Sequence, residues 1–361
     1  MADKMVLGGG KNRLIGLDFF RISLAVLILL FHSRAKSHFC CYYYALDDFI
    51  SMGAIAMTAF FMLSGYSLYL VYGKEDFQSI EKVKTFYRKR FINIAPLYFF
   101  VTLVYLVLFS EESPLQLLFV IPVEVLTLQA ELNLTHVFHN GGTWFISCLT
   151  ICYFLYPYIQ WLINNISNRG KVIAIIFLSF IILLSPFVGK IFDVETYPNP
   201  FIRLLEFCIG ILLSQLNTLD SGKNKILDLL RTKWMLALSI IALVAGITLV
   251  IRMGFPKSYQ AYNIIALPCF IVMMLSLSYQ KFEIKHTKTI LYMSKVSYAF
   301  FMTQIFLWPL CQWLIVQLGY DTNIIRIALS FTTCSVISIL MYEFVDKPVG
   351  KYLRNRLIND K

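Results

Sequence analysis

Long apolar runs between short polar breaks divide the chain into about ten stretches. They fall near 14–33, 50–72, 91–109, 143–163, 172–188, 201–217, 234–252, 261–279, 296–317 and 323–344. About twenty helical residues rise roughly 30 Å, the thickness of a bilayer's hydrocarbon core, so each run is long enough or nearly long enough to span a membrane. The segment 115–130 is apolar too, but Pro114, Pro122 and Glu124 make it a poorer span and predict a re-entrant or interfacial piece. The expected fold is all-α, a polytopic integral membrane bundle of about ten spans. It forms one domain over 1–361, with tails at 1–13 and 346–361.

Composition supports this solvent. With 58% hydrophobic and 15% charged residues, the chain reads as a membrane protein, and no polar block is long enough to make a separate soluble domain. Charge supplies an independent test, because Lys and Arg collect on the cytoplasmic side of a membrane protein. Lys74, Lys82, Lys84, Arg88, Lys89 and Arg90 share one gap; later gaps of the same parity hold Arg169 and Lys171, then Lys223 to Lys233, then Lys281 to Lys288. With the two basic tails, about 23 of the 32 cations fall on one side, which predicts cytoplasmic termini. The opposite loops lean acidic through Asp47, Asp48, Glu111, Glu112, Glu131, Asp193, Glu195 and Asp321. The net charge of +11 therefore reflects topology and calls for no nucleic-acid partner. A cleaved signal peptide is excluded, since FHSRAKSHF after Leu30 carries no small-residue cleavage site. Cys148, Cys152, Cys208, Cys269, Cys311 and Cys334 lie in spans as small apolar fillers, while Cys40 and Cys41 fall in an outer loop as free thiols or an intermolecular bond.

Candidate chemistry concentrates in the first run, LIGLDFFRISLAVLILLFHS, which carries Asp18, Arg21 and His32. An arginine at the centre of a membrane helix costs about 2.5–3.5 kcal/mol on insertion scales, so it persists where a partner, water or a function offsets that. Arg21 and His32 are eleven positions apart, about three turns, which puts them on one face with roughly 16 Å of rise between them. Asp18 lies one turn before Arg21. The stripe reads either as a polar lining of the bundle interior, or as an interfacial Asp18/Arg21 salt bridge with His32 snorkelling outward. Ser64 and Gly65, small residues in the second span, predict close helix packing. Arg88, Lys89 and Arg90 precede the third span, as an ordinary positive-inside anchor or as a grip on a phosphorylated cytoplasmic ligand. His136 and His139 could form a metal pair on one helical turn, but no cysteine or carboxylate stands beside them at ligand spacing, and no metal is expected.

The order of these pieces resembles acyltransferase family 3, membrane O-acyltransferases, over nearly the whole chain. The family's arginine, ten residues, histidine pattern matches Arg21 and His32; its phenylalanine-rich run before Ser-Gly matches Phe60, Phe61, Ser64 and Gly65. A basic cluster and an Ile-x-Pro-x-Tyr element match Lys89, Arg90, Ile94, Pro96 and Tyr98. GGTWFISCLTICYFLYP is similar to a Trp-led helix through Trp144, Tyr153 and Pro157. RLLEFCIGILL resembles a Phe-x-x-Gly segment through Glu206, Phe207 and Gly210, and SYAFFMTQIF and FVDKP complete the series. Three departures stand out. Asn93 replaces an arginine, Leu149 and Thr150 replace a glutamate pair, and Gln304 stands where a histidine is common. No soluble hydrolase-like domain is expected after the last span.

The resemblance implies transfer of an acyl group, usually acetyl, from cytoplasmic acyl-CoA to a hydroxyl of a glycan or lipid-linked sugar at the outer face of a bacterial cytoplasmic membrane. It assigns His32 and Arg21 to catalysis and Arg88, Lys89 and Arg90 to acyl-CoA. Asp18, Phe61, Ser64, Gly65, Trp144 and Glu206 line or pack the site. Acyl-CoA is a co-substrate, with no permanently bound cofactor. Membrane lipid surrounds the protein, and a second copy or an envelope-synthesis protein is compatible as a partner. His32 serves as base for the hydroxyl or as acyl-accepting nucleophile, and Arg21 holds a phosphate, neutralises Asp18 or stabilises an oxyanion. Two rivals remain. A sugar transporter would be expected to show internal repeats, which are not evident here, and a silent subunit would have no need for both Arg21 and His32.

Overall fold

The computed structural model describes residues 14–36, 43–109, 113–132, 142–219, 222, 224–255, 258–280, 285–304, 307–319 and 322–359. The tail 1–13, the Cys40–Cys41 pair, and His136 and His139 lie outside the described residues. All regular elements among the described residues are helical. In chain order they are α1 (Ile15–Lys36), α2 (Tyr44–Ser51), α3 (Ala56–Tyr72), α4 (Ile80–Phe109), α5 (Pro114–Val125), α6 (Trp144–Asn164), α7 (Asn168–Phe192) and α8 (Pro200–Leu216). Then follow α9 (Lys225–Leu230), α10 (Lys233–Arg252), α11 (Asn263–Tyr279), α12 (Thr287–Thr303), α13 (Trp308–Leu318), α14 (Asn323–Met341) and α15 (Lys347–Arg354).

The polar breaks hold the helix starts. Ser167, Asn199, Thr232 and Thr322 each accept a backbone N–H of the first turn of α7, α8, α10 and α14, which satisfies donors the helix itself cannot. Gly319, at φ 66°, closes α13 in the left-handed conformation that glycine adopts without strain.

The centre of the bundle is the α3/α8 pair. An added Cβ at Gly65 would stand 2.0 Å from the Phe207 carbonyl oxygen, and one at Gly210 would stand 1.9 Å from that of Met62. The two glycines thus bring the backbones into direct contact, and small residues at such a crossing are what permit it. In the apolar window of α3, 67% of residues are buried, against 17% for α7 and for the span that α14 begins. Peripheral helices instead expose large apolar side chains such as Ile173, Phe180, Ile241 and Phe331, a surface suited to lipid and not to water.

Seven helices among the described residues are long and apolar enough to cross a membrane, or eight if α12 and α13, bent by 83° to one another, make one span. This is fewer than the ten stretches of the apolar pattern. The runs at 201–217 and 261–279 are present as α8 and α11, but each has 17 residues and a rise of about 25 Å. Both turn most residues into the protein. An apolar run reports burial, and cannot tell burial in protein from burial in lipid. The third span also begins earlier than its apolar stretch: α4 starts at Ile80, so Arg88, Lys89 and Arg90 lie within a helix and not in a loop. The segment after Pro114 forms α5, 12 residues with a Ser113/Gln116 capping box and a rise of about 18 Å.

Candidate active site

Two polar groups occupy the two ends of α1. At the first, Arg21 donates through one Nη to Ser294 on α12 (3.2 Å) and through the other to Ser67 on α3 (3.4 Å). Ser294 in turn donates to the buried Asp18 carboxylate (2.5 Å), which lies 3.8 Å from Arg21. Asp18 and Arg21 therefore staple α1 to two other helices, α3 and α12, a geometry that belongs to the bundle interior and not to a lone interfacial pair.

Arg90 enters the same end from α4. Its Nη2 donates to the Tyr72 hydroxyl (3.1 Å), and its guanidinium lies over the rings of Tyr72, Phe86 and Tyr153 at 5.1, 5.8 and 5.8 Å. The Tyr153 ring lies under the Arg90 guanidinium, and its phenol is within electrostatic reach of both Arg90 and Arg21. Two cations from two helices thus converge on one tyrosine, and the buried Nε of Arg90 has no hydrogen-bond partner among the described residues. Such an arrangement offers positive charge and unused donors to an anion. Arg88 and Lys89 stay half-buried beside it and form no ion pair among the described residues.

At the other end, His32 Nδ1 stands 3.0 Å from Oε1 of Gln304. The Gln304 side chain is fully buried, and its Nε2 donates to the Ala25 carbonyl (3.5 Å), which fixes the amide with its oxygen toward the ring. An amide oxygen only accepts, so Nδ1 carries the proton and the basic lone pair resides on Nε2. Phe31 lies against His32 (ring centroids 5.3 Å) and meets Tyr259 edge-on (5.7 Å). Outside the spans, burial pushes the Tyr259 phenol up and the Arg34 cation opposes it, so Tyr259 stays neutral beside this end. Arg34 itself forks onto Asp47 at 2.9 to 3.1 Å, tying α1 to α2.

A third group links α3, α6 and α8. Arg203 and Glu206, 1% and 0% exposed, pair through bonds of 2.7 and 2.9 Å, and Thr58 donates to the same carboxylate (2.9 Å). The guanidinium also donates to the Tyr197 carbonyl and lies over the rings of Phe61, Trp144 and Tyr197 at 5.6, 5.6 and 4.9 Å. Phe61, Trp144 and Glu206 are thus brought together by Arg203, a residue the sequence reading missed. Its signal was available: Arg203-x-x-Glu206 repeats, in an apolar run, the one-turn spacing of Asp18 and Arg21. Ser64 donates to the Phe60 carbonyl of its own helix (2.8 Å) and not across an interface.

The arrangement defines a class: a helical membrane bundle whose first helix holds an imidazole with a fixed tautomer at one end and a cationic, aromatic-walled cluster at the other. The chain belongs to acyltransferase family 3, whose acyltransferase-domain model matches residues 14–343, and it is therefore a membrane acyltransferase. No curated protein and no solved structure matches the chain. Gln304, one of the three departures from the family pattern, is among the residues that contact His32.

Proposed function

We propose that the protein is an acyl-CoA-dependent O-acyltransferase of a bacterial cytoplasmic membrane, moving an acetyl group to a hydroxyl of an envelope or exported glycan or its lipid-linked precursor. In this reading α8, α11 and the α12–α13 pair all cross, giving ten spans, a single acyltransferase domain and cytoplasmic termini. The Arg21 end then faces the cytoplasm and the His32 end faces the acceptor.

The observation that carries the proposal is the His32–Gln304 pair set about three turns of α1 from the Arg21/Arg90 cluster. CoA phosphates bind at the inner cluster on Arg90 and Arg21, with Arg88 and Lys89 at its rim, and the pantetheine arm runs along α1 toward His32. Nε2 takes the proton of the acceptor hydroxyl as the oxygen attacks the thioester carbon; the carbon–sulfur bond breaks, and the proton passes to the leaving thiolate to give free CoA. A neutral imidazole is a competent general base at neutral pH.

The test supplies membranes with acetyl-CoA labelled in the acetyl group and compares wild type with His32→Ala at matched expression. Label enters a glycan or lipid-linked sugar fraction in wild type and falls by at least about 100-fold in the variant. Label absent from every fraction, with CoA neither bound nor released, would instead favour sugar transport without acyl chemistry.

A further inference from the structure

Between α1, α12 and α14 lies a slot of about 80 Å³, walled by Ile22, Ala25, Val26, Val296, Phe300 and Phe331. Two of the hydroxyls at its edge are already committed: Ser297 donates to the Ser294 carbonyl (2.8 Å) and Tyr292 to Glu343 (3.1 Å). Apart from the Ser335 hydroxyl on α14, the surface offered to an occupant is hydrocarbon.

Its position connects it to the chemistry. Ala25 forms one wall, and its carbonyl is the acceptor for Gln304 Nε2, while Gln304 Oε1 holds His32. Phe300, one turn before Gln304 on α12, forms another wall. Along α1 the slot's residues lie between Arg21 and His32 in the sequence, and in the acyl-CoA reading this is the stretch the thioester passes to reach the imidazole.

We propose that this slot is the acyl-chain pocket, holding the hydrocarbon tail of the donor thioester and limiting it to about two to four carbons. The proposal rests on the acyl-CoA reading above. Size sets the limit: a cavity of about 150 Å³ takes benzene with its six carbons, so about 80 Å³ takes roughly three. The tail of a bilayer lipid is several times longer, so only its methyl terminus would enter.

Two variants on α14 alter the slot from a partly lipid-facing helix without touching His32, Gln304 or the cationic cluster. Phe331→Ala enlarges it and Ser335→Leu fills it. The readout is transfer to the endogenous acceptor from acetyl-, butyryl- and hexanoyl-CoA, each labelled in the acyl group, expressed as ratios of kcat/KM. One methylene more or less in an apolar pocket is worth about 10-fold or more. Wild type therefore uses acetyl and butyryl donors and discriminates against hexanoyl. Phe331→Ala raises the hexanoyl-to-acetyl ratio about 10-fold or more, and Ser335→Leu lowers the butyryl-to-acetyl ratio by a similar factor. Ratios unchanged in both variants, with acetyl transfer intact, would overturn the pocket and assign the slot to a lipid methyl terminus. No transfer from any acyl-CoA by wild type would overturn the acyl-CoA reading and the pocket together.

Discussion

His32 and Gln304 are 272 positions apart in sequence and 3.0 Å apart in the fold. Where a histidine partner could itself titrate, glutamine cannot, so this pair has one ionisation and one tautomer. Gln304→Glu sets a carboxylate against Nδ1–H and favours the imidazolium. Because the base must be neutral, the acid limb of the pH–rate profile moves up by about one unit or more; an unmoved limb would show that the pair does not govern turnover. Gln304→Leu keeps the ring but frees its tautomer, and the rate falls about 10-fold with the limb in place. The Arg203/Glu206 pair calls for a different variant set. Arg203→Ala leaves a carboxylate buried without its cation and destabilises by about 3–5 kcal/mol, read as a lower Tm in detergent. Arg203→Met combined with Glu206→Leu recovers most of that loss; a double variant as unstable as the single would mean that Thr58, Tyr197 and Trp144 depend on the guanidinium itself.

Among the helices, the α3/α8 crossing tolerates least. A methyl at Gly210 meets the Met62 backbone carbonyl at 1.9 Å, and backbone cannot rotate aside as a side chain can. Gly210→Ala therefore pushes the helices apart and costs about 1–3 kcal/mol or more, seen as a lower Tm and reduced yield of folded protein. The same substitution at Gly246, where the nearest atom is the Ile265 methyl at 3.1 Å, is far milder and serves as its control. Helix positions were legible in advance because apolar runs are local signals; the structure adds the caps Ser167, Asn199 and Thr322 at the starts of α7, α8 and α14. The start of α4 was not legible, because Lys82 to Arg90 is polar by composition and helical by continuation from the apolar turns that follow.

At the scale of the whole molecule, parity decides topology. Seven crossings put the termini on opposite sides; ten put them on the same side. Reporter tags at the two ends of the chain are therefore expected in one compartment, and tags in opposite compartments would remove an odd number of helices from the crossing set, the bent α12–α13 pair first. The apolar pattern by itself determined that the chain is a bundle of membrane helices, and the spacing in the first run marked Asp18, Arg21 and His32 as one face. Both follow from period and composition, which act over one helix at a time. Only the tertiary structure brought Ser294 and Ser67 to Arg21, Tyr153 to Arg90, Gln304 to His32, and Phe61 and Trp144 to Arg203. Those partners come from helices far apart in the chain, and which faces meet is settled by packing at contacts such as Gly65 on Phe207, a property of the assembled bundle and of no single segment.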